Sequence, residues 1–225
     1  MRYLLFFVLL VPLTVMGQKD DKYKFLRTDY LAVELLSPIH FQTPRFKLEY
    51  NRSFLPRWDA SITLGYGNAN LAPNYAKDED NYRLFEIRHA WKFQLVRKGS
   101  FRYFLSLEGF YILHKDTYHE SWIYFNDEIG YLVYKQADFQ REKLGVLAKS
   151  SFHFMFGNRL GLILYGGLGV RVRNNKFSNV VPLRLSIEEF EDEFGFNIKY
   201  NQEEGKQFSG DFTLGVRVSY ALKFR

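Results

Sequence analysis

The chain has 225 residues, a net charge of +6 and a high aromatic content (23 Phe, 16 Tyr, 3 Trp), but no cysteine. Lack of cysteine excludes disulfides, a thiol nucleophile, thiolate metal sites and a lipid-modified N-terminal cysteine. The positive charge is dispersed rather than gathered into a Lys/Arg cluster that could track a phosphate backbone, so nucleic acid is not an expected partner.

Residues 1–17 read as a secretory signal peptide. Arg2 gives a positive start, 4–11 is an unbroken apolar run, and Val15-Met16-Gly17 precedes the polar Gln18-Lys19-Asp20-Asp21. The run is too short to span a bilayer, and no later segment approaches the roughly 20 apolar residues of a membrane helix. Residues 18–29 are then a periplasmic lead-in, and the exported domain is expected over 30–225.

From residue 30 the pattern is alternation with period two, the signature of strands with one apolar face. A first strand over 30–37 sets Leu31, Val33 and Leu35 against Glu34. A second, over 45–54, sets Phe46, Leu48 and Tyr50 against Lys47, Glu49 and Asn51. After Leu55-Pro56-Arg57, a third over 58–67 sets Trp58, Ile62, Leu64 and Tyr66 against Asp59, Ser61, Thr63, Gly65 and Gly67. A polar loop over 68–81 leads to a fourth strand, 82–95, and a tight turn at 97–100 to a fifth, 101–115. A longer connection over 116–134 precedes the sixth, clearest over 144–156. Gly157-Asn158 then gives a strong hairpin signal before the seventh, 159–173. The longest connection, 174–207, carries the acidic run 188–193 and leads to the eighth strand, 211–225.

Short and long connections alternate, as an up-and-down antiparallel barrel requires. Outer-membrane barrels keep their periplasmic turns short and their extracellular loops long. The polar face carries glycine at 65, 67, 161, 167, 169 and 215, making room in a narrow lumen. The apolar face gathers aromatics near the short turns, among them Phe54, Trp58, Trp91, Phe93, Phe101, Tyr103, Phe154, Phe156, Tyr220 and Phe224, the pattern of an interface girdle. The expected fold is all-β, an eight-stranded antiparallel up-and-down transmembrane β-barrel in the outer membrane, surrounded by its lipid.

Three segments carry a family resemblance: Phe46-Lys-Leu-Glu-Tyr-Asn-Arg-Ser-Phe54 before a tight turn, Leu162-Ile-Leu-Tyr-Gly-Gly-Leu-Gly-Val170, and Leu214-Gly-Val-Arg-Val-Ser-Tyr-Ala-Leu-Lys-Phe224. With them the chain resembles the small eight-stranded outer-membrane barrels of Gram-negative Bacteroidota, similar in plan to the OmpA transmembrane domain. The resemblance implies recognition of a terminal aromatic by the barrel-assembly machinery, and no assigned chemistry.

Inward parity collects Glu34, Lys47, Glu49, Asp59, Glu86, Arg88, Lys92, Arg102, Glu108, Lys149, Arg171 and Arg217. Side chains fill an eight-stranded lumen, so these charges are expected to form a plug of ion pairs. A gated ion path or small polar ligand site is the functional alternative. Catalysis has three weak candidates. Ser151 and His153 share the inward face two residues apart, as a nucleophile and base would, but near the short-turn end. His114 sits near the opposite rim, where an enzyme acting on outer-leaflet lipid acyl chains would work. His119-Glu120 lacks the second histidine of a zinc-protease motif, and neither metal nor cofactor is expected. His89 points outward by parity and suggests a contact or a bulge. Specificity is left to the connections 116–134 and 174–207, whose aromatics and acids suit an extracellular ligand. The sequence therefore favours a structural or loop-mediated binding role over a lipid-modifying enzyme or a narrow conduit.

Overall fold

The computed structural model describes residues 28–40, 43–71, 81–126, 130–157, 159–186 and 203–224. The signal-peptide reading of 1–17 lies outside them, as do 72–80 and the acidic run 188–193. Eight strands follow in order: β1 Thr28–Glu34, β2 Phe46–Leu55, β3 Trp58–Asn68, β4 Arg83–Lys98, β5 Phe101–Asn126, β6 Gly130–Phe156, β7 Leu160–Ser186 and β8 Gly205–Phe224. Each pairs antiparallel with the next, and β8 returns to β1 through pairs such as Glu34↔Arg217, closing the barrel. The expected all-β, up-and-down, eight-stranded barrel is what the chain forms.

Period two becomes two faces with opposite chemistry. Along β2 and β4, Lys47, Glu49, Asn51, Glu86, Arg88 and Lys92 are buried in the lumen while the alternate, mostly apolar positions such as Phe46, Leu48, Phe85, Ile87 and Trp91 are exposed on the outer wall. Phe212 is 76% exposed and Glu86 fully buried. Facing aromatics pair near the short turns: Phe54 with Trp91 at 5.4 Å between ring centroids and Trp58 with Phe93 at 4.9 Å. Gly157, at φ 61°, turns β6 into β7 in the left-handed region that glycine tolerates.

Several boundaries differ from the sequence reading. The lead-in ends earlier than residue 29, because Thr28 and Asp29 already pair with Phe224 and Lys223. The first strand stops at Glu34, and a 3-10 turn over Ser37–Ile39 follows, with Pro38 at its start. The described parts of 116–134 and 174–207 are largely strand: β5 and β6 stay paired from Phe101↔Phe154 out to Asn126↔Gly130. β7 runs to Ser186, and β8 begins at Gly205. The physical reason is an upper ribbon of β5, β6 and β7 standing beyond the closed ring, buried on one side only. Ile123, Tyr134 and Ala137 form its core, with Tyr118, Phe177 and Val180 against them. Alternate positions such as Lys115, Lys135 and Lys176 are exposed, so the composition imitates a loop. No bulge interrupts β4 at His89, which lies in unbroken register between Ile62 and Gly109, its ring edge-on to Trp91.

Candidate functional site

The lumen is the candidate site, and its charges form two alternating chains of five. In one, Lys92 Nζ donates to Glu49 Oε1 at 2.6 Å, Arg217 bridges Glu49 and Glu34 (Nε to Glu34 Oε2, 3.0 Å), and Lys47 Nζ lies 3.7 Å from Glu34. In the other, Arg45 and Arg88 both hold Glu86, Arg88 Nη1 donates to Glu108 Oε1 at 2.8 Å, and Lys149 Nζ donates to Glu108 Oε2 at 2.7 Å. Each carboxylate meets two cations, and each chain begins and ends on a cation. Neutral donors complete the shells: Tyr30 and Thr63 hydroxyls donate to Glu49 at 3.1 and 3.3 Å, and the Val216 amide donates to Glu34 at 3.0 Å. Burying charges is costly unless they are paired and hydrogen-bonded, and here they are both.

Tyr165 joins the two chains. Its hydroxyl donates to Glu34, while its ring lies 4.2 Å from Lys149 Nζ and 4.4 Å from Arg217 Cζ. Cations over an aromatic face are attracted by its quadrupole. Beside the second chain, Tyr82, Leu84, Phe110, Ile112 and Leu147 form an apolar cluster on the β4–β6 side of the lumen, with the Arg88 guanidinium 4.8 Å from the centre of the Phe110 ring.

Of the sequence-read network, Glu34, Lys47, Glu49, Glu86, Arg88, Glu108, Lys149 and Arg217 come together. Arg171 does not join them; it pairs with Asp211 at 3.0 Å toward the long-connection end and is only partly buried. Its position on β7 is level with Ser209, above the network's level, which accounts for the separation. Arg102 and Asp59 sit at the short-turn end, where Asn51 donates to Asp59 at 2.9 Å. Arg45 and Tyr165 were not singled out from sequence. Arg45 opens the expected second strand with the inward parity of Lys47 and Glu49 and was passed over, and an aromatic on a polar face carries no charge signal.

The catalytic candidates separate. Ser151 Oγ and His153 Nε2 are 3.1 Å apart and buried, with the Phe104 ring 4.5 Å and the Tyr30 ring 5.9 Å from the imidazole. Among the described residues no carboxylate is hydrogen-bonded to His153 to orient it as a triad would. His114 belongs to the other end, level with Leu84 and Arg141; its Nε2 is 3.3 Å from Asp116 Oδ2. Among the described residues no group of three or more His, Asp or Glu could hold a metal ion.

The mouth at the long-connection end is basic. The turn after β1 folds back, the Arg45 amide donating to Ser37 O at 3.0 Å, which sets Arg45 over the lumen. Arg45 Nη1 donates to Thr43 O at 2.7 Å and Thr43 Oγ1 at 3.0 Å. Partial burial, then the Arg45, Lys143 and Lys47 cations, hold the nearby His40 imidazole below its ordinary value. Arg141 Nε donates to Asn175 Oδ1 at 2.8 Å. Comparison of the sequence with family models, with curated proteins and with solved structures found no match in any of the three.

Proposed function

We propose that this chain is an integral outer-membrane β-barrel with a structural or binding role, neither an enzyme nor an open conduit. The carrying observation is the inversion of the two faces: a closed ring of strands buries its charges and exposes its leucines and aromatics. A water-soluble barrel would lose stability by that arrangement, whereas a bilayer rewards it. Strands such as β2, with 10 residues, and β3, with 11, have the length for a tilted crossing. The expected signal peptide and the resemblance to small Bacteroidota barrels agree with export to the outer membrane.

The binding role falls to the upper ribbon and the mouth. The closed lumen supports the non-conducting part of the reading, and the lone Ser151–His153 contact supports the non-enzymatic part. Cell fractionation tests the placement: the protein is expected in the outer-membrane fraction, migrating faster in gels before boiling than after. Recovery as a soluble periplasmic protein would sink the proposal. Lipid A mass spectra from cells with and without the gene test the chemistry, and an altered acylation pattern would point to the enzyme instead.

A further inference from the structure

A small cavity of about 20 Å³ lies at the long-connection mouth, lined by Thr43, Arg45, His114, Arg141 and Lys143 over a floor of Leu84 and Ile112. That volume is enough for one water-sized atom. Leu84 and Ile112 belong to the apolar cluster, and Arg45 carries the second ion-pair chain to the edge of the cavity through Glu86. Lys143 is part-buried, level with Arg173 on β7 and Ile112 on β5, and forms no salt bridge among the described residues. His114 is 2% exposed, and its Nδ1 is buried with no hydrogen-bond partner while Nε2 faces Asp116. A buried polar atom without a partner calls for an occupant.

We propose that this cavity binds one oxygen of a water-borne phosphate group, with the rest of the group standing in the open mouth. Guanidinium and ammonium groups with a hydroxyl are the donor set that phosphate recognition uses. Phosphate fits better than a simple anion because of His114. With Nε2 assigned as the donor to Asp116, a neutral imidazole offers Nδ1 as an acceptor, and the P–OH of hydrogen phosphate can donate to it. Sulfate has no such hydrogen. The lining residues on β4, β5 and β6 take the inward parity of their strands, so the phosphate comes from solution rather than from a lipid headgroup outside the wall. The site depends on lumen geometry alone: a chain that bound phosphate but fractionated as soluble would leave it standing and overturn only the membrane placement.

The test is calorimetric titration of the folded full chain in a phosphate-free detergent with inorganic phosphate, then with sulfate. Saturable phosphate binding, tighter than sulfate, is expected. Lys143→Gln is expected to weaken it about tenfold or more, the worth of one charge-assisted hydrogen bond, while keeping the fast gel migration of the folded barrel. His114→Phe is expected to erase the preference for phosphate over sulfate. If Lys143→Gln does not fold, Thr43→Val takes its place with the same expected direction. No saturable binding by the unaltered chain at millimolar phosphate, or unchanged binding in the folded variant, would overturn the proposal. Displacement of phosphate by phosphatidylglycerol in mixed micelles would overturn the water-borne source.

Discussion

Gly215 on β8 is the seat of Tyr165 on β7. The two are cross-strand partners, and a Cβ placed on Gly215 would stand 2.3 Å from Cζ and the hydroxyl oxygen of the tyrosine. Only a residue without a side chain lets the ring lie flat against the wall between Lys149 and Arg217. The lumen's two charge chains are thus coupled by a packing choice on the strand beside them.

Gly215→Ala is expected to destabilise the folded barrel by about 1–3 kcal/mol, the usual cost of overpacking an occupied site. Tyr165→Phe keeps the ring and removes one hydroxyl donor to Glu34, which retains Arg217, Lys47 and the Val216 amide, so it is expected to cost only about 1 kcal/mol. Urea unfolding in detergent, read from gel migration, checks both. A Gly215→Ala variant as stable as the parent would mean that Tyr165 has another place to go.

Arg217 is the next test, because it serves two carboxylates. Arg217→Met leaves Glu34 with Lys47 and Glu49 with Lys92, each short of one cation. Breaking a buried pair strands charge, and the expected loss is about 3–5 kcal/mol. Adding Glu49→Gln to that variant removes one stranded charge and is expected to restore part of the loss. Strict additivity of the two substitutions in a double-mutant cycle would contradict the direct bridge.

These relationships were legible in the sequence to different depths. Alternation revealed which residues face inward, because a half-buried strand repeats every second residue and Glu34, Glu49, Glu86 and Glu108 all obey that parity. It could not reveal which carboxylate meets which cation. Arg217 reaches Glu34 and Glu49 across residue separations of 183 and 168, fixed only when β8 closes on β1. Tyr165 was on the correct face but silent, since its importance comes from the space above Gly215. The upper ribbon was hidden by composition: strands buried on one side only carry the lysines and acids that usually mark loops.

That ribbon is expected to open independently of the barrel. Beyond Arg83↔Lys115 and Asn175↔Gly205 it has no described pairing with β4 or β8, and its own core is small. Elements with few buried contacts unfold locally at lower cost than the whole domain. Ala137→Asp places a charge in a fully buried position and is expected to expose 116–140 to protease. The ring below should keep its heat-dependent gel shift. Loss of that shift in the same variant would show that ribbon and ring fold as one unit.

Conduction is the last point at issue, and the lumen is filled by both paired charges and apolar side chains. The two charge chains occupy the lumen, and Leu84, Phe110 and Leu147 pack beside the second of them with aliphatic and aromatic carbon. An ion moving through would have to displace paired side chains and pass apolar carbon, which disfavours water. Planar-bilayer recordings of the unaltered chain are therefore expected to be silent. Removing one barrier should not suffice, so Phe110→Ala alone is also expected to stay silent, at a stability cost of about 3–5 kcal/mol. Steady conductance from the unaltered chain would require a route past Arg88, whose guanidinium sits 4.8 Å from the Phe110 ring and ties the two barriers together.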